Sequence, residues 1–142
     1  MADLTESFED YLEVIYILDK KSNQENKYIK HKNSRNKIRI KDIAKELNVK
    51  LPSVTEMVRK LSAKGFVEFE KYKPINLTQK GKDIAKKVYA RHKSLKKLFM
   101  MIGVDENTAS IDACKAEHIL SKKTIKCINK FTSSKNKNVK GV

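Results

Sequence analysis

Residues 41–77 constrain this chain more than any other stretch. Lys41–Leu47 and Pro52–Lys64 carry apolar residues at helical spacing: Ile43, Ala44 and Leu47 in the first, Val54, Met57, Val58 and Leu61 in the second. Only Asn48-Val49-Lys50-Leu51 separates them, with the break at Asn48-Val49-Lys50. Pro52 suits the first turn of the second helix, and Gly65 suits its stop. Two short helices on a tight turn form a helix-turn-helix. Phe66-Val67-Glu68-Phe69-Glu70 then alternates with period 2, Lys71-Tyr72-Lys73-Pro74 reads as a turn, and Ile75-Asn76-Leu77 as a second strand. A hairpin placed directly after a helix-turn-helix is a wing. Ile38-Arg39-Ile40, just before it, reads as strand-like.

Periodicity extends the helical reading to both sides. A helix is expected over 5–19, capped by Thr5, with Phe8, Leu12, Ile15 and Tyr16 on one stripe. Thr78 caps a long helix over 79–102, striped by Ile84, Val88, His92, Leu95, Phe99 and Ile102 and ended by Gly103. Asp105 begins a helix to about Ser121. A last one spans 122–131, with Thr124, Cys127, Ile128 and Phe131 on one face. Residues 20–37 are polar, basic and aperiodic and read as a flexible loop suited to a DNA backbone. Residues 132–142 read as a disordered basic tail. With 4 Gly and 2 Pro the chain lacks the turn residues of a small all-β fold. The expected class is mainly α: a winged helix-turn-helix over 1–78, then a helical domain over 79–131.

Lys and Arg number 32 against 17 Asp and Glu, a net charge of +15, which points to a polyanion, with nucleic acid the first candidate. No apolar run approaches the roughly 18 residues of a spanning helix. The acidic N-terminus is not a signal peptide, and Cys114 and Cys127 form neither a disulfide framework nor a CxxC pair. A cytoplasmic location is expected. The second helix of a helix-turn-helix enters the major groove by its N-terminal residues. Here Leu51 and Pro52 suit thymine methyls, Ser53 and Thr55 suit bases or phosphates, and Glu56 suits cytosine. Arg59 and Lys60 suit backbone phosphates, and Lys71, Tyr72 and Lys73 on the wing suit the adjacent strand.

A second set of residues suits metal chemistry. Cys114, Glu117 and His118 stand at i, i+3 and i+4, one face of a helix, and offer thiolate, carboxylate and imidazole. The same spacing fits a surface Glu-His pair beside a small buried cysteine. His92 lies on the apolar stripe of the long helix, where a satisfied core histidine is the plainer reading. Asp10 and Glu13 share the non-core face of the first helix. Residues 1–19 hold six acids and no Lys or Arg, which suits either a helix N-terminus or a cation site. No nucleophile-base pair, P-loop or dinucleotide fingerprint is present, so an enzyme is not expected. A metal-dependent hydrolase with Glu117 as base has no pocket motif behind it.

These stretches together resemble a known family: the metal-dependent repressors typified by the diphtheria toxin repressor and the manganese transport regulator. The resemblance runs from about Leu4 to Phe131. It is carried by Glu9-Asp10-Tyr11-Leu12-Glu13 with Ile15-Tyr16, Pro52-Ser53-Val54-Thr55-Glu56-Met57-Val58, Leu77-Thr78-Gln79-Lys80-Gly81, Arg91-His92, Ile102-Gly103-Val104-Asp105, and Ala113 to Ser121. It implies a homodimer that reads an inverted repeat in double-stranded DNA, with a C-terminal part that dimerises and completes the metal site. Metal, Fe2+ or Mn2+, acts as co-repressor for metal-homeostasis genes. Asp10, Cys114, Glu117 and His118 match the primary ligands, while Glu13 and His92 match ligands of a manganese-type pair, so one or two ions per subunit are implied. By the resemblance, an acid at the Asp10 position marks manganese responders and a cysteine at the Cys114 position iron responders; the Asp10 carboxylate itself suits both metals, and the Cys114 thiolate inclines the set slightly to Fe2+. The alternative keeps the winged helix and makes it a regulator of a non-metal signal. The chain departs from the iron-type members at Lys96 and Ser110, where they carry an acidic ligand and a histidine. The loop at 20–37 is longer and more basic than the family's, and the chain resembles its short, two-domain form.

Overall fold

The computed structural model describes residues 6–26 and 38–139. Among these the order is α1 (Glu6–Asn26), α2 (Ile40–Leu47), α3 (Leu51–Ala63), β1 (Val67–Glu68), β2 (Asn76–Leu77), α4 (Gln79–Met101), α5 (Glu106–Ala116) and α6 (Lys122–Val139). The chain divides into two compact units between Lys86 and Lys87, inside α4. No described helix is long and apolar enough to cross a membrane.

The first unit is built on the stripes that periodicity predicts. Leu12 and Ile15 of α1, Ile43 of α2, and Val54, Val58 and Leu61 of α3 are wholly buried. Each such side chain contributes about 1.5–3 kcal/mol against the entropy of ordering the chain. The α2–α3 turn is set by Asn48, whose φ of 54° lies in the left-handed region that asparagine tolerates. Val49 N–H donates back to the Ala44 carbonyl at 3.1 Å. Gly65, at φ 82°, ends α3 and lets Phe66 N–H reach the Leu61 carbonyl at 3.0 Å. The hairpin pairs Val67 with Leu77 and Glu68 with Asn76, antiparallel. Ile38-Arg39-Ile40 is not a strand. The Ile38 carbonyl accepts one bond from Ile75 N–H at 2.9 Å, and Ile40 already begins α2. Asp42 provides the cap there, its carboxylate accepting Arg39 N–H at 2.8 Å.

In the second unit Val88 and Leu95 of α4, Ala109 and Ala113 of α5 and Thr132 of α6 are buried. Ser94 bonds Asn129 at 3.3 Å, and Lys96 pairs with Glu106 at 3.1 Å. Gly103, at φ 102°, closes α4, and Asp105 caps α5 by accepting Thr108 N–H at 2.9 Å. That backbone bond holds the Asp105 carboxyl below the usual carboxylate range.

Three helix ends differ from the expected ones. α1 continues to Asn26, so residues 20–26 are helix and not loop; residues 27–37 lie outside the described residues. Lysine supports a helix well, and here Lys20 lies over the Tyr16 ring while Lys21 pairs with Glu46 at 3.4 Å. α5 stops at Ala116 and leaves residues 117–120 in a turn, because Ser121 caps α6 by accepting Thr124 N–H at 3.2 Å. α6 runs to Val139, so residues 132–139 are helical and not a disordered tail; Thr132 is buried on it. Cys127, spaced as a core residue, is exposed, as is Phe131.

Thr78 fastens the entry to α4. Its hydroxyl donates to the Gly65 carbonyl at 2.6 Å and accepts Gly81 N–H at 3.1 Å. Gly81 is buried, and a Cβ built on it would overlap the Phe66 carbonyl oxygen. On helix propensity alone, Gly81→Ala gains about 1 kcal/mol. Because backbone blocks the methyl group, the variant is instead expected to lose about 1–3 kcal/mol in urea denaturation. A stability gain would contradict this close approach.

Candidate metal centre and nucleic-acid face

The second unit gathers three of the expected ligands. α4 supplies His92, and the end of α5 supplies Glu117 and His118. Glu117 is the C-cap, with helical φ and ψ of −59° and −25°, and its N–H still donates to the Ala113 carbonyl at 3.0 Å. Glu117 therefore keeps helical geometry one residue beyond α5, and His118 follows it in the turn. The Glu117 side chain is 0% exposed, and an imidazole nitrogen meets each of its oxygens. His92 Nδ1 lies 3.3 Å from Oε2, and His118 Nε2 lies 3.3 Å from Oε1. Ser110 Oγ is 3.5 Å from His92 Nε2, on the other side of that ring.

An ionised carboxylate removed from water needs opposite charge or strong hydrogen bonds. An imidazole that stays neutral supplies a dipole, and a lone pair for a cation. Two imidazoles and a carboxylate form a donor set suited to a first-row divalent metal. The residues thus fit such an ion. Cys114, one turn before Glu117, is exposed, and no convergent donor group among the described residues includes it. Lys96 and Ser110, where the iron-type members have ligands, are engaged with Glu106 and His92.

α1 carries the other two candidates. Asp10 is half-buried, and Glu13 is buried at 6% exposure although sequence spacing puts it on the non-core face. The burial of Glu13 is the signal that periodicity missed.

The residues expected to face nucleic acid lie in the first unit. Leu51, Pro52, Ser53, Glu56, Arg59 and Lys60 of α3 are exposed, as are Lys71, Tyr72 and Lys73 on the hairpin tip. Thr55 is half-buried, and its hydroxyl donates to the Leu51 carbonyl of its own helix at 3.1 Å. Glu56 pairs with Lys60 at 3.2 Å and Glu70 with Lys73 at 2.6 Å. The Lys73 ammonium holds the Glu70 carboxyl below its ordinary range. A groove of about 400 Å3 runs between the start of α3 and the hairpin tip, lined by Arg39, Leu51, Thr55, Phe69, Lys71 and Tyr72 among others. Sequence reasoning did not single out Arg39. No local pattern marks it, because its partner on the tip is 33 residues away.

Comparison with known proteins bears on both sites. The family model described as "Iron dependent repressor, N-terminal DNA binding domain" matches residues 26–75. The one described as "Iron dependent repressor, metal binding and dimerisation domain" matches residues 78–141. An uncharacterised HTH-type transcriptional regulator of Methanocaldococcus jannaschii is 39% identical over 130 residues, 90% of this chain and 94% of that protein. The HTH-type transcriptional regulator MntR of Bacillus subtilis is 40% identical over 117 residues, 82% of this chain and 73% of that one. Among solved structures, the manganese regulator SloR matches with a TM-score of 0.71 at 28% identity, over 89% of this chain. This chain spans 53% of the SloR chain, about half its length.

Proposed function

Because the chain belongs to the iron-dependent repressor family of metal-dependent transcriptional regulators, which are not enzymes, we propose that it represses metal-homeostasis genes when Fe2+ or Mn2+ binds. The observation that carries this reading is the wholly buried Glu117 carboxylate between His92 and His118. The bound cation supplies the charge that offsets that carboxylate.

The proposed primary ligands are Asp10, Cys114, Glu117 and His118, with Glu13 and His92 serving a second ion. The oxygen and nitrogen donors suit either metal, and the thiol of Cys114 biases the set toward Fe2+. Raw affinity does not identify the effector, since the Irving–Williams order ranks Zn2+ above both. Asp10 and Glu13 stand on α1, whose Leu12 and Ile15 share a core with the recognition helix α3. A ligand set drawn from both units favours whichever arrangement of α3 lets all donors engage. This is linkage: metal and operator each raise the other's affinity by the same factor.

Ile102, Ile111 and Ile119 are exposed at 71%, 50% and 79% in the second unit, which suits the dimerisation that the family's C-terminal domain provides. A dimer presents two copies of α3 to an inverted repeat.

His118→Ala is expected to abolish metal-stimulated DNA binding, read by fluorescence anisotropy, while circular dichroism stays unchanged. A normal metal response in this variant would overturn the primary site. Anaerobic calorimetry of the wild type and of the double variant Glu13→Gln, His92→Ala tests the second ion. The expected result is one ion fewer per subunit in the variant; equal stoichiometry would remove the second ion from the account.

A further inference from the structure

The hairpin tip holds an unusual conformation for the residue it carries. Tyr72 has φ 68°, in the left-handed region, and its side chain is 84% exposed. A bulky residue without glycine's freedom is strained there, and an exposed ring recovers little of that strain by burial. Three contacts are local to the turn: Lys73 N–H donates to the Glu70 carbonyl at 3.1 Å, the Glu70–Lys73 ion pair spans it, and the Lys71 ammonium lies over the Tyr72 ring, 5.2 Å from its centroid. Another comes from outside the hairpin. Arg39 Nη1 donates to the Tyr72 carbonyl at 3.3 Å.

Arg39 is well placed for that task. Its backbone N–H is tied to the Asp42 carboxylate at the start of α2, and the preceding carbonyl, of Ile38, accepts Ile75 N–H from the hairpin's return. Its side chain also lines the groove shared by Leu51 and Thr55 of α3 with Lys71 and Tyr72 of the tip. The residue therefore joins three parts of the face: the α2 start, the α3 groove and the tip.

We propose that Arg39 is a positioning residue for DNA recognition: its guanidinium fixes the tip so that the Tyr72 ring is presented to the DNA strand beside α3. This deepens the reading of the first unit as DNA-binding and rests on it. The bond to the Tyr72 carbonyl offsets part of the backbone strain, so the tip is ordered before DNA arrives and less entropy is lost on binding.

Two measurements on the full-length protein test this. The first needs no DNA. In Arg39→Gln, hydrogen exchange at the Lys73 amide, bonded to the Glu70 carbonyl, is expected to quicken several-fold, with the melting temperature nearly unchanged, and Arg39→Lys is expected to restore part of the protection. Unaltered exchange in Arg39→Gln would overturn the latch. The second uses a duplex selected from random sequence by the wild-type protein with Mn2+. Arg39→Gln is expected to weaken binding about fivefold, the scale of one lost hydrogen bond, and to lose backbone protection only at the tip's flank. Glycine adopts φ 68° without strain, so in a Tyr72→Gly background Arg39→Gln is expected to weaken binding no further. Additive losses would overturn the positioning role and place Arg39 directly on a phosphate. If the wild type selects no duplex with Mn2+ or Fe2+, the functional reading fails, while the exchange measurement still decides the latch.

Discussion

A carboxylate held out of water imposes a demand on everything around it. Glu117 is wholly buried in the second unit, and both of its oxygens face imidazole nitrogens 3.3 Å away. Desolvating an ionised carboxylate costs several kcal/mol, even after the protein relaxes. A hydrophobic residue in its place would pack more cheaply, so stability alone does not account for Glu117. Its place at the end of α5 follows from the chain's local chemistry. The Asp105 cap starts the helix, Ser121 starts the next, and the turn between them leaves Glu117 and His118 on the inner side. A divalent cation, if held there as proposed, would meet the demand with full charge and use the histidine lone pairs at the same time.

The first unit serves a different physical end. Its core of Leu12, Ile15, Ile43, Val54, Val58 and Leu61 is apolar, and its outer face carries Ser53, Arg59, Lys60, Lys71 and Lys73 beside the exposed Leu51 and Tyr72. Burial of one face of α3 fixes the direction of the other, which is what a recognition helix requires. The hairpin adds a tip whose ordering depends on a strained tyrosine and on contacts that offset the strain. If this face meets DNA as proposed, rigidity in it would lower the entropy lost on binding a polymer whose affinity otherwise comes largely from charge.

Much of this architecture is legible in the sequence, because the positions that decide it are local. Asn48, Gly65 and Gly103 adopt the positive φ that their types permit, and Asp105 and Thr78 cap as expected. The helix-turn-helix and hairpin follow from period and punctuation. What was not legible depends on long-range contact. Polar composition hid the last turns of α1 and α6, where Lys21 finds Glu46 and Thr132 finds a buried position. Ile38-Arg39-Ile40 has strand propensity, yet one bond to Ile75 is all the pairing it makes. Spacing alone gave Glu13 and Cys127 the wrong exposure. Arg39 left no local trace at all.

The account turns on the buried carboxylate and its two imidazoles forming a cation site. Electron spin echo modulation of the anaerobic protein loaded with Mn2+ reads those ligands directly, since coordinated imidazole nitrogen couples to the manganese spin. The account predicts nitrogen modulation in the wild type and its loss when His92 and His118 are both replaced by alanine. A wild-type spectrum like that of hydrated Mn2+, without nitrogen coupling, would contradict it.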